Sequence, residues 1–103
     1  MTIMQFTVIP LDKGPSLSRF VAAVLDVVDN SGLDYRLTPM GTIVEGEWDK
    51  TLALLDKCFK TVEPVSERLS ISVTFDHRRG PEQRLSKKIQ SVEQKLGRKL
   101  RTE

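Results

Sequence analysis

The chain has 103 residues, with 39% hydrophobic and 29% charged side chains, which is enough apolar material for one small core and excludes a disordered polar tail. Sixteen Lys and Arg stand against fourteen Asp and Glu, a net charge of +2, so charge alone does not point to a polyanion partner. One cysteine, one histidine and no long apolar run exclude an internal disulfide, a zinc site built on His and Cys, and a spanning helix, and a signal peptide is not evident in "MTIMQFTVIP"; a cytoplasmic protein with no membrane association is expected.

The first element is a strand over Met4–Ile9. Met4, Phe6 and Val8 share one face, and Gln5 and Thr7 share the other. After "DKGP" a helix is predicted from Ser16 or Ser18 to about Asn30, with Leu17, Phe20, Val21, Val24, Leu25 and Val28 on its apolar stripe. Gly32 suits the left-handed position past its end.

"LDYRLT" is a short strand, Pro39 and Gly41 make a turn, and "TIVEG" returns. A second helix spans Trp48–Val62, with Trp48, Leu52, Leu55, Phe59 and Val62 predicted to face the core. "RLSISVTFD" alternates most regularly: Leu69, Ile71, Val73 and Phe75 face one way, and Ser70, Ser72, Thr74 and Asp76 the other. Pro81 opens a last helix carrying Leu85, Ile89, Val92 and Leu96, and Gly97 ends it.

The order β-α-β-β-α-β plus a terminal helix is α+β. It predicts a ferredoxin-like βαββαβ sandwich with an additional C-terminal helix, in one domain over residues 1–103. Helices cover one sheet face only. The other would carry Ile3, Gln5, Thr7, Ile9, Ser70, Ser72 and Thr74, small or apolar groups that suit a second sheet, so homo-oligomerisation through this face is expected. The terminal helix has no home in the two-helix layout. It either covers a sheet edge or docks on a neighbouring subunit.

No catalytic constellation is visible: there is no GxSxG elbow, P-loop or GxGxxG, and His77, Asp76 and Ser72 lack triad spacing. Cys58 reads as a small buried hydrophobe. RNA-binding domains of the same element order stack bases on strand aromatics, which "TIVEG" lacks, so no nucleic-acid partner is expected.

The unusual chemistry lies in "TPMGTIVEGEW". Gly41 leaves backbone accessible, Thr38 and Thr42 add hydroxyls, Glu45 places a carboxylate mid-strand, and Trp48 offers an aromatic face. These five residues are the candidate ligand-binding set. Asp76, Arg78 and Arg79 at another strand end are candidates for an anion contact or an interface.

"TPMGTIVEGEWD", "DHRRG" and "KIQSVEQKL" together resemble the small cytoplasmic thiamine-binding protein family, over nearly the whole chain. The resemblance implies a ferredoxin-like subunit in a homotetramer that binds thiamine or its hydroxymethylpyrimidine moiety without transforming it, with no catalytic residue and no cofactor. Glu45 would then receive the aminopyrimidine nitrogens. The alternative is a module similar to ACT domains, binding another small metabolite at an oligomer interface.

Overall fold

A computed structural model describes residues 1–15, 17–80, 84–85 and 87–102. The elements run β1 (Thr2–Pro10), α1 (Ser18–Asp29), β2 (Asp34–Thr38), β3 (Gly41–Gly46), α2 (Trp48–Val62), β4 (Leu69–His77) and α3 (Lys87–Leu96), with a 3-10 turn over Glu63–Val65 between α2 and β4. The four strands form one antiparallel sheet in the order β2-β3-β1-β4. This is the predicted ferredoxin-like arrangement with an added C-terminal helix. Ser16 and Pro81, predicted at helix starts, lie outside the described residues.

Register assigns the faces. Met4 pairs with Val44 and Phe75, and Phe6 with Thr42 and Val73, so these side chains share the face under α1 and α2. Phe20, Val24 and Val28 of α1 and Leu54, Cys58 and Val62 of α2 close over them into the core. Each such large side chain contributes roughly 1.5–3 kcal/mol by leaving water. Burial pushes the Cys58 thiol up to about 11, as fits a small core hydrophobe.

Two expected stripes are corrected. On α2 the buried face is Thr51, Leu54, Cys58 and Val62, whereas Trp48 and Leu52 are 47% and 38% exposed. The helix lies over β1 and β3 rather than over the edge strand, and this rotates the Trp48 stripe sideways, toward β4. On β4, Ile71 and Val73 keep their predicted face but remain 40% and 39% exposed, for the same reason. On α1, Val21 is exposed and Leu25 only half-buried, so the stripe is narrower than its sequence suggests.

The helix-free face carries Ile3, Gln5, Thr7 and Ile9 of β1, Ser70, Ser72 and Thr74 of β4, and Ile43 and Glu45 of β3. α3 begins at Lys87, six residues after the predicted opening at Pro81, and Gly97 ends it at φ +70°. Leu85 precedes the helix and is buried, but α3 itself buries no residue.

Candidate functional site

The stretch from Thr38 to Trp48 runs the full length of β3, and its candidate residues fall into three separate environments. Successive strand residues point to opposite faces, so Thr42 lies on the helix side and Glu45 on the helix-free side, at opposite ends of the strand.

At the hairpin end, the Thr38 hydroxyl donates to the Gly41 carbonyl at 2.8 Å and accepts from the Met40 N–H at 3.2 Å. The turn uses this hydroxyl internally. Gly41 sits at φ +152°, and a Cβ there would lie 3.1 Å from the Phe6 carbonyl oxygen and 3.3 Å from Thr7 Cγ2. Glycine is therefore required where β1 passes the turn.

Beside this hairpin, against α1, lies a cavity of about 380 Å³. Val21, Leu25 and Leu37 contribute apolar walls, and Pro39, Met40 and Thr42 stand at the hairpin side. Thr42 is 8% exposed, and among the described residues the side-chain atom sealed from water without a hydrogen-bond partner is Arg84 Nε, not the Thr42 hydroxyl. The size and lining suit a small flat guest with a few polar groups. Sequence reasoning found Thr38, Gly41 and Thr42 but missed the α1 wall; the surplus apolar residues Val21 and Leu25 were its signal.

At the other end of β3, Glu45 is 2% exposed. Its two carboxylate oxygens accept from the Arg84 N–H at 3.0 and 2.8 Å, and Oε1 also accepts from the Leu85 N–H at 3.1 Å. The carboxylate is thus occupied by the backbone leading into α3, which differs from its expected role as a ligand acceptor. A side chain distant in sequence satisfies the free N–H groups ahead of that helix. A smaller cavity of about 210 Å³ beside it is bordered by Asp34, Glu47 and Lys50.

Asp76 joins the same assembly. Arg84 Nη1 lies 3.0 Å from its Oδ2, Lys88 Nζ lies 3.2 Å from it, and Arg84 Nη2 donates to the Asp76 carbonyl at 2.7 Å. Hydrogen bonds from Arg84 and then Lys88 hold the Asp76 carboxyl below the usual range. Arg84, 5% exposed, was missed in the sequence, where its ordinary basic context gave no signal. The Arg78 carbonyl accepts from the N-terminal amine at 2.9 Å, and Arg79 is exposed.

Trp48 belongs to a third group. Its ring packs on Phe75 with centroids 4.8 Å apart and meets His77 edge-on at 6.4 Å. His77 ends β4, and its Nδ1 lies 2.8 Å from Thr2 Oγ1. Trp48 therefore does not line the hairpin cavity.

A second cavity of about 400 Å³ lies between α1 and α2, with Asp26, Asn30, Lys50 and Lys57 among its walls. Its two ammonium groups disfavour a cationic guest. Among the described residues no cluster of His, Cys, Asp and Glu fit to hold a metal is present, and no helix there is long and apolar enough to cross a membrane.

The family model described as "Thiamine-binding protein" matches residues 4–93. The chain belongs to the thiamine-binding protein family. Among its relatives, a UPF0045 protein of Synechocystis is 33% identical over 92 residues, covering 88% of this chain and 76% of that protein. A crystal structure of a hypothetical protein from Methanocaldococcus jannaschii superposes with a TM-score of 0.80 at 27% identity, covering 88% of this chain and 94% of that one. A proposed thiamine biosynthesis/salvage protein of Thermotoga maritima shares the fold, with a TM-score of 0.77 at 18% identity over 88% of this chain and 97% of that one.

Proposed function

We propose that this member of the family binds thiamine or its hydroxymethylpyrimidine moiety without transforming it, as a homo-oligomeric cytoplasmic protein that stores, buffers or senses the vitamin. The aminopyrimidine enters the cavity between α1 and the β2–β3 hairpin. Its ring lies among Val21, Leu25 and Leu37, and the Thr42 hydroxyl bonds an amine or a ring nitrogen. The thiazolium stays at the open mouth, where water keeps its charge solvated.

The observation that carries this reading is the cavity of about 380 Å³ between α1 and the hairpin, with apolar walls from Val21, Leu25 and Leu37 and with Thr7, Thr38 and Thr42 among its lining. An apolar cavity of this size with a few polar groups suits a flat guest carrying ring nitrogens. The family description supports the choice of guest. Small and apolar residues on the helix-free face support assembly through that face.

Calorimetric titration with thiamine and with hydroxymethylpyrimidine tests the ligand. Thr42→Val weakens binding about tenfold, the loss of one hydrogen bond of about 1.4 kcal/mol. Val21→Trp, which fills the cavity from α1, abolishes it. No heat with either compound at millimolar concentration would leave under about 4 kcal/mol of binding and would sink the reading.

A further inference from the structure

β1 outruns the hairpin beside it. It pairs with β4 along its whole length, from Thr2 opposite His77 to Pro10 opposite Leu69, but with β3 only from Thr2 opposite Gly46 to Phe6 opposite Thr42. Past Phe6 the chain on that side has entered the turn, so residues 7–10 form a free strand edge there.

Parity along the strand tells which backbone groups lie on this edge. The N–H and C=O of one strand residue point to the same side, and those of the next residue point to the other. The Met1 carbonyl accepts from the Arg78 N–H at 3.1 Å, and the Leu11 N–H donates to the Arg68 carbonyl at 2.9 Å, so the odd-numbered residues turn to β4. Both registers run without a bulge, and the even-numbered residues therefore turn to β3. Phe6 exchanges its bonds with Thr42. Val8 comes next, and the position opposite it is Met40, which lies in the turn and is 80% exposed; among the described residues no backbone bond joins the two. Pro10 follows, and proline, having no N–H, fits a strand where that side faces no neighbour.

Val8 borders the hairpin cavity and is 8% exposed, so its edge is reached through the cavity rather than from the open surface. Its N–H and C=O stand side by side, a donor next to an acceptor, in a space walled by Val21, Leu25 and Leu37. Backbone groups shielded in this way require partners. Their complement is a flat guest with an acceptor next to a donor, which is an amidine edge: a ring nitrogen accepts and the amine on the neighbouring carbon donates.

We infer that the free edge of β1 at Val8 reads this amidine edge, the guest extending the sheet where β3 stops. The inference deepens the vitamin reading and rests on it. The Val8 N–H donates to the ring nitrogen beside the amine, and the amine donates to the Val8 carbonyl. The other ring nitrogen is left for the Thr42 hydroxyl. The site thereby selects heterocycles that carry an amine beside a ring nitrogen, and the selecting groups belong to the backbone.

Amide exchange and calorimetric titration of the full chain with hydroxymethylpyrimidine test it. In the ligand-free chain the Val8 amide exchanges about tenfold faster than those of Phe6 and Ile9, which are bonded to β3 and β4. Equal protection would mean that the turn or a second copy already covers the edge, and would overturn the inference. At saturation the Val8 amide slows to the rate of its neighbours, and the Val8 carbonyl carbon resonance shifts. The analogue with hydrogen in place of the amine binds about tenfold more weakly and leaves that carbonyl resonance unmoved. If hydroxymethylpyrimidine binds while the Val8 signals stay unchanged, or if the two compounds bind alike, the backbone role is wrong and the vitamin reading stands. If neither hydroxymethylpyrimidine nor thiamine binds, both fall.

Discussion

The Glu45 carboxylate accepts the backbone N–H of Arg84 through both oxygens, joining the end of β3 to the root of α3 across 39 residues of sequence. This bond decides what an acidic residue does in a strand otherwise built for a core. Arg84 then turns its guanidinium to Asp76 and to the Met1 carbonyl, which ties the N-terminus, the end of β4 and the start of α3 together.

Glu45→Gln therefore acts on stability. A neutral amide keeps one acceptor and turns its NH2 toward N–H donors, so the expected loss is about 2 kcal/mol in denaturant unfolding. Thiamine affinity, measured by calorimetry, stays within twofold of wild type. A tenfold fall in affinity at unchanged stability would return Glu45 to the role of ligand acceptor.

Gly41→Ala places a methyl group 3.1 Å from the Phe6 carbonyl oxygen, a backbone atom that cannot swing away. A φ of +152° adds strain for any L side chain. The variant loses about 2 kcal/mol in thermal or urea unfolding, and the hairpin end of β3 shows faster amide exchange while the β1–β4 pairing stays protected.

Asp76 gives a pH dependence. Its folded pKa is depressed by Arg84 and Lys88, so the stability it contributes is present above the unfolded value of about 3.9 and is lost as pH falls through the folded one. Asp76→Asn is thus less stable than wild type at pH 7. The two unfolding curves converge only as pH falls below the depressed folded value, where the wild-type carboxyl is protonated as well.

Cys58 moves the other way. Its thiol titrates at about 11 because burial disfavours the thiolate, so the native chain resists an aromatic disulfide reagent at pH 8 and reacts fully once unfolded in urea. Above the unfolded thiol pKa of about 8.5, stability declines as pH rises, because only the unfolded chain then gains by releasing the proton. Cys58→Ser removes this alkaline slope and, by burying a hydroxyl in the core, lowers stability at every pH.

Much of the fold was legible because periodicity and turn chemistry are local. Met4, Phe6 and Val8 alternate as a strand wherever they sit, and Trp48–Val62 is a helix by its own spacing. Thr38, Gly41 and Thr42 were found as a group because a tight hairpin keeps sequence neighbours close in space. Glu45 and Trp48 were grouped with them for the same reason, and there proximity in sequence misled: six strand residues extend nearly 20 Å and alternate faces.

Sequence alone determined the element order, the helix-free sheet face with its small side chains, and the family. Only the tertiary structure decided that Glu45 serves α3, that Trp48 stands over Phe75, and that the Leu52 stripe is left at an open edge. The reason is geometric. Local pattern tells which side of a helix is apolar, but the angle at which α2 crosses the sheet tells which part of that side meets the core, and that angle is set by strands far away in the chain.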